Sequence, residues 1–89
     1  MKELTRDESL KYYNDKEHRE EINLKYKKIS IDLYCCDNIV DVTVLGSVYT
    51  LDLSWCKNII DVSGLGSVHT LNLSWCKNII DVSASGSVH

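Results

Sequence analysis

Proline and phenylalanine are absent from the 89 residues, methionine occurs once, and aromatic residues make up only 8% of the chain. A core without phenylalanine has to be built from aliphatic side chains. Turns without proline fall to Gly, Asn, Asp and Ser. No apolar run approaches the ~18 residues that cross a bilayer, and the N-terminus is charged rather than signal-like. These absences point to an intracellular, cytoplasmic protein with no membrane partner. The length allows one small domain, which needs good packing because a short chain buries little surface.

Cations are scarce after residue 28. Residues 29–89 carry Lys57 and Lys77 against six aspartates, a net −4, whereas residues 1–28 hold eight Lys/Arg and seven Asp/Glu. Phosphate binding needs clustered cations, so nucleic acid is not expected as a partner of the C-terminal part. Zinc is not expected either. There is no Cys-x-x-Cys and no nearby His pair, and Cys36, Cys56 and Cys76 sit twenty residues apart in identical slots. That spacing reads as a ladder of buried, reduced thiols, with Cys35 outside it and inert.

What the chain does have is a repeat. The stretch from Leu51 to Thr70 is copied almost letter for letter from Leu71 onward, and a degenerate copy runs from Ile31 to Thr50. A fixed period near twenty residues marks a stacked solenoid, and solenoids are binding surfaces more often than catalysts. Ile29, Ile31 and Leu33 alternate with Ser30 and Asp32, Leu51 and Leu53 flank Asp52, and Leu71 and Leu73 flank Asn72. Period two predicts one short strand per repeat with its apolar set on one face. Gly46, Gly66 and Gly86 recur where the chain turns back, and are expected to supply positive φ there. From Cys56 to Val68 there are too few residues for a helix, which predicts a bare turn or a little 3₁₀ helix. Residues 1–28 favour helix, with Thr5 or Asp7 capping a first one and Asp15 a second from Lys16 to about Leu24. Their sparse apolar stripe needs a surface to lie on, and the open end of the stack is the expected one.

The run Val68-x-x-Leu71-x-Leu73-x-x-Cys76-x-x-Ile79 resembles the leucine-rich repeat pattern. The Cys-Lys-Asn-Ile-Ile-Asp-Val-Ser phrase is similar to the cysteine-containing repeats of F-box proteins, and the short period to repeats encoded by large DNA viruses of amoebae. The resemblance covers residues 29–89. It implies an α/β-type repeat, a short leucine-rich repeat solenoid of parallel strands with an N-terminal helical segment. The expected division is 1–28 as a charged cap or F-box-like remnant, with Ser9-Leu-Lys-Tyr-Tyr carrying that likeness, followed by repeats 29–50, 51–70 and 71–89. It further implies substrate selection for ubiquitination, with residues 1–28 facing an adaptor, in a host cell's cytoplasm if the source is viral.

No constellation for catalysis is visible, and no cofactor or metal is implied. His69 and His89 share a slot with Tyr49, which speaks for an edge role rather than general-base chemistry. Asp41, Asp61 and Asp81 form a column with too few hard oxygens for calcium, and read as acceptors for backbone N–H groups in their own turns. Asn38, Asn58 and Asn78 suit a turn or a ladder between repeats. The candidate partner-binding residues are those that alternate with the core on the strands or follow them: Asp32, Tyr34, Asp52, Ser54, Trp55, Asn72, Ser74 and Trp75. For the tryptophans two readings stand side by side, interface anchors or rings that shield the repeat edges. The expected function is a protein–protein interaction module for a partner polypeptide. The alternative is a truncated or decayed fragment, favoured by Ser85 in a core leucine slot and by the stop at His89. End-to-end self-association is a further expectation, because unpaired strand edges template pairing.

Overall fold

A computed structural model describes residues 1–79. The readings made above for Asp81, Ser85, Gly86 and His89 fall outside the described residues. The domain is α/β, with two N-terminal helices and four parallel strands that have 3₁₀ turns between the later ones. In chain order these are β1 (Lys2–Glu3), α1 (Arg6–Asn14), α2 (Lys16–Lys25), β2 (Ile29–Asp32), β3 (Thr50–Asp52) and β4 (Thr70–Asn72). The 3₁₀ turns are Thr43–Leu45 and Ser63–Leu65. Strand order follows the chain, β1-β2-β3-β4.

The twenty-residue period becomes the register. Ile31, Leu51 and Leu71 align across β2, β3 and β4, as do Asp32, Asp52 and Asn72. Because successive side chains alternate between faces, the leucines and isoleucines all fall inward. Ile31, Leu33, Leu51, Leu53 and Leu71 are at most 1% exposed, while their polar neighbours are half-buried on the outward face. Ile39, Val42, Leu45 and Val48, with Ile59, Val62, Leu65 and Val68, fill the rest of the same core from the return segments. Each fully buried aliphatic side chain of this size contributes about 1.5–3 kcal/mol.

Two polar ladders tie consecutive repeats together. The Cys56 thiol donates to the Leu33 carbonyl at 3.1 Å, and the Cys76 thiol to the Leu53 carbonyl at 2.9 Å. On the return segment the Asn58 side-chain amide donates to the Asp37 carbonyl, and Asn78 to the Lys57 carbonyl, both at 2.6 Å. Burial pushes the Cys56 thiol from 9.0 up to about 11, so it stays protonated and keeps its donor. Asp41 and Asp61 accept from the backbone N–H of Thr43 and Ser63 at 2.9 and 2.8 Å and initiate the 3₁₀ turns.

Residues 1–28 pack against this core, with Leu4 and Tyr12 buried in it. Thr5 and Glu8 form a capping box at the start of α1, and the Asp15 carboxylate accepts from the Glu17 and His18 N–H groups to start α2. Tyr12 is fully buried, and its hydroxyl donates to Asn23 Oδ1 at 2.7 Å and lies 3.4 Å from Ser47 Oγ. Ser9, also fully buried, accepts from the Asp32 N–H at 3.1 Å. Tyr13 donates to the Asp41 carbonyl at 2.6 Å. β1 extends the sheet itself, with Lys2 N–H on the Lys28 carbonyl and Leu4 N–H on that of Ser30.

The expectation of positive φ at the recurring glycines is not met. Gly46 and Gly66 have φ of −68° and −61°, and among the described residues no glycine has positive φ. Gly46 supplies clearance instead: a Cβ there would lie 2.7 Å from the Gly64 carbonyl oxygen of the next repeat. At Gly64 a Cβ meets only ordinary contacts at 3.6 Å and beyond, and the same slot holds Val44 one repeat earlier. The left-handed backbone is found elsewhere, at Cys35, Trp55 and Trp75, with φ of 58°, 65° and 65°.

Candidate interaction surface

The strand exit is a tight turn. Cys56 N–H returns to the Leu53 carbonyl at 3.2 Å, and Cys76 N–H to Leu73 at 3.1 Å. Such turns with positive φ at the third residue favour glycine or asparagine. Here that residue is tryptophan, twice. Its N–H still continues the ladder, Trp55 to the Ser74 carbonyl at 2.9 Å, while the next residue drops its thiol into the core. A non-glycine residue held in this region costs roughly 1–3 kcal/mol. The turn is braced from the strand side: Asp52 Oδ1 accepts from both the backbone N–H and the hydroxyl of Ser54, at 2.9 and 2.7 Å. Asn72 Oδ1 does the same for the Ser74 N–H at 3.0 Å, and Asp32 for Tyr34 more weakly at 3.4 Å.

This geometry throws both indoles outward and onto each other. Their rings stack with centroids 5.1 Å apart and planes 15° from parallel, yet Trp55 remains 44% exposed and Trp75 62%. A second stack stands at the strand entrance, where Tyr49 and His69 lie 4.4 Å apart and 5° from parallel, with the Lys28 ammonium 4.8 Å above the Tyr49 ring. The outward sheet face, with Thr50, Thr70, Asp52 and Asn72, runs between two aromatic columns.

Six of the eight residues named from sequence are therefore gathered on β3 and β4 and their exits: Asp52, Ser54, Trp55, Asn72, Ser74 and Trp75. Asp32 shares their register row on β2. Tyr34 is drawn toward the cap, its ring under the Arg6 guanidinium at 4.4 Å, while Arg6 donates to the Tyr34 carbonyl at 2.6 Å and to Cys36 Sγ at 3.4 Å. The carboxylates and the Asn72 amide are engaged in turn bracing, which makes them positioning groups for the tryptophans. Comparison with known proteins leaves this surface to stand on its own chemistry. No family model, curated protein or solved structure matches the chain. Among the described residues no group of three or more His, Cys, Asp or Glu is placed to hold a metal, and no helix is long and apolar enough to cross a membrane. The Tyr49–His69 column was not singled out as a site from sequence; the signal available was an aromatic or imidazole ring in one slot of successive repeats.

Proposed function

We propose that the chain is a protein-interaction module of the leucine-rich repeat type, a short solenoid whose outward sheet face receives a partner polypeptide. The observation that carries this reading is the tryptophan pair. Two large apolar rings occupy backbone positions that favour glycine, and both stay open to solvent instead of entering the core. Backbone strain of this kind collects at binding and switch sites, and tryptophan is enriched among interface hot spots. Trp55 and Trp75 anchor the partner, and the row of Thr, Asp, Ser and Asn beside them supplies polar contacts at the rim. In an F-box-like protein such a face selects the substrate for ubiquitination while residues 1–28 meet an adaptor.

The chain's only two tryptophans are their own reporters. A peptide-display library selected on the wild-type protein is expected to yield binders that shift indole emission to the blue. Those peptides lose binding to the Trp55→Gly/Trp75→Gly double variant, which relieves the turn strain while deleting the rings. Peptides that bind wild type and variant equally, with no change in emission, overturn the proposal.

A further inference from the structure

The cap hides a charge separation that its composition masks. Residues 1–28 are nearly neutral in sum, yet Met1, Lys2, Lys25, Tyr26, Lys27 and Lys28 together line an open depression of about 550 Å³ that includes no carboxylate. The β1–β2 pairing builds it, because the Lys2 N–H bond to the Lys28 carbonyl brings the chain's first two residues against the segment between α2 and β2. Two ammonium groups share the Tyr26 ring, Lys2 at 5.7 Å and Lys25 at 6.0 Å, and Lys28 leans on Tyr49. Among the described residues, no carboxylate lies within 4 Å of any of these four ammonium groups. Of the seven acids in residues 1–28, Glu8 is held in the capping box, where Lys2 also acts on it, and Asp15 starts α2.

We propose that this depression is a binding site for an acidic polypeptide segment, separate from the tryptophan pair. Four cations around an aromatic floor attract carboxylates, and cation–π contacts hold Lys2, Lys25 and Lys28 in place before a ligand arrives. A nucleic-acid strand running on from the site meets the outward sheet face, where Met1 Sδ already approaches Thr50 Oγ1 at 3.8 Å and Asp32 and Asp52 follow on the same strands. Those carboxylates repel a continuous polyanion, as they repel an anionic bilayer.

The test is fluorescence anisotropy of labelled hexaglutamate with the full chain at low salt. Saturable binding is expected, weakened by about tenfold or more in Lys27→Glu/Lys28→Glu. Lys57→Glu makes the same change of charge on the return segment and is expected to alter affinity by less than about twofold. Trp55→Gly/Trp75→Gly leaves hexaglutamate binding unchanged, so failure here and failure of the tryptophan site are read independently. Circular dichroism confirms that each variant is folded, and Lys25→Ala replaces the double variant if that one is not. Absence of saturable binding, or equal weakening by Lys57→Glu, overturns the site. A single-stranded oligonucleotide or phosphatidylserine vesicles binding more tightly than hexaglutamate through the same lysines overturns the choice of an acidic polypeptide.

Discussion

The cap and the repeats complete one hydrophobic core by opposite means. In the repeats each stabilising contact is made once per period: a thiol and an amide each reach back to a carbonyl of the preceding repeat, and an aspartate braces each 3₁₀ turn. In the cap every contact is unique, with Tyr12, Ser9, Tyr13 and Arg6 each finding a different partner. Periodic contacts spread the stability over equivalent positions. The cap concentrates it in a few side chains, so its substitutions are expected to be the more damaging.

Truncation of Tyr12 is the hardest blow to that comparison. Tyr12→Ala leaves a cavity in the shared core and strands Asn23, with an expected loss of about 3–5 kcal/mol in urea unfolding. A two-step urea curve in that variant, with the repeats melting separately, breaks the view that cap and repeats share a core. Gly46→Ala comes next, at about 1–3 kcal/mol, because its Cβ collides with the Gly64 carbonyl. Gly64→Ala is neutral or stabilising by up to about 1 kcal/mol, since nothing crowds that position. Equal effects at the two glycines contradict the clearance argument. Smaller still, Asn58→Ala costs about 1 kcal/mol through the lost bond to the Asp37 carbonyl, and Asn78→Ala a similar amount.

The thiol ladder adds a pH dependence of definite sign. A thiol raised from 9.0 to about 11 by burial is protonated in the fold where it would ionise in the unfolded chain. Stability from Cys56 is complete below pH 9 and is lost as pH rises toward 11. Cys36 and Cys76, also raised chiefly by burial, act in the same direction. Thermal melts across that window are expected to fall, and to fall less steeply in Cys56→Ala.

Much of this architecture is legible in the letters. Alternating Leu51/Asp52/Leu53 and its copies mark β3 and β4, and the short return segment leaves room only for a 3₁₀ turn. Thr5 and Asp15 mark the helix starts through local hydrogen-bonding chemistry. Other features have no such signal. β1 consists of two polar residues that become a strand only because the Lys28 and Ser30 carbonyls accept their ladder. The left-handed positions belong to Cys35, Trp55 and Trp75 because tertiary register overrides the intrinsic preference for glycine, while Gly46 is needed for a contact with a residue eighteen positions on. At the candidate surface, the alternation identifies which side chains face outward. That the tryptophans stack, and that the lysines of both ends of the cap converge, follows from strand pairing across the chain.

Among the described residues, the side-chain hydrogen bonds between repeats all run in one direction, from a thiol or amide in a later copy to a carbonyl in the earlier one. Since the acceptor is backbone, it exists whatever the earlier copy's side chains are. A duplicated twenty-residue segment therefore carries its own donors to acceptors already in place, without needing a matching change in its neighbour. Such asymmetry lets a copy be added without a change of sequence in the one before it, and Leu51–Thr70 and its successor are nearly identical.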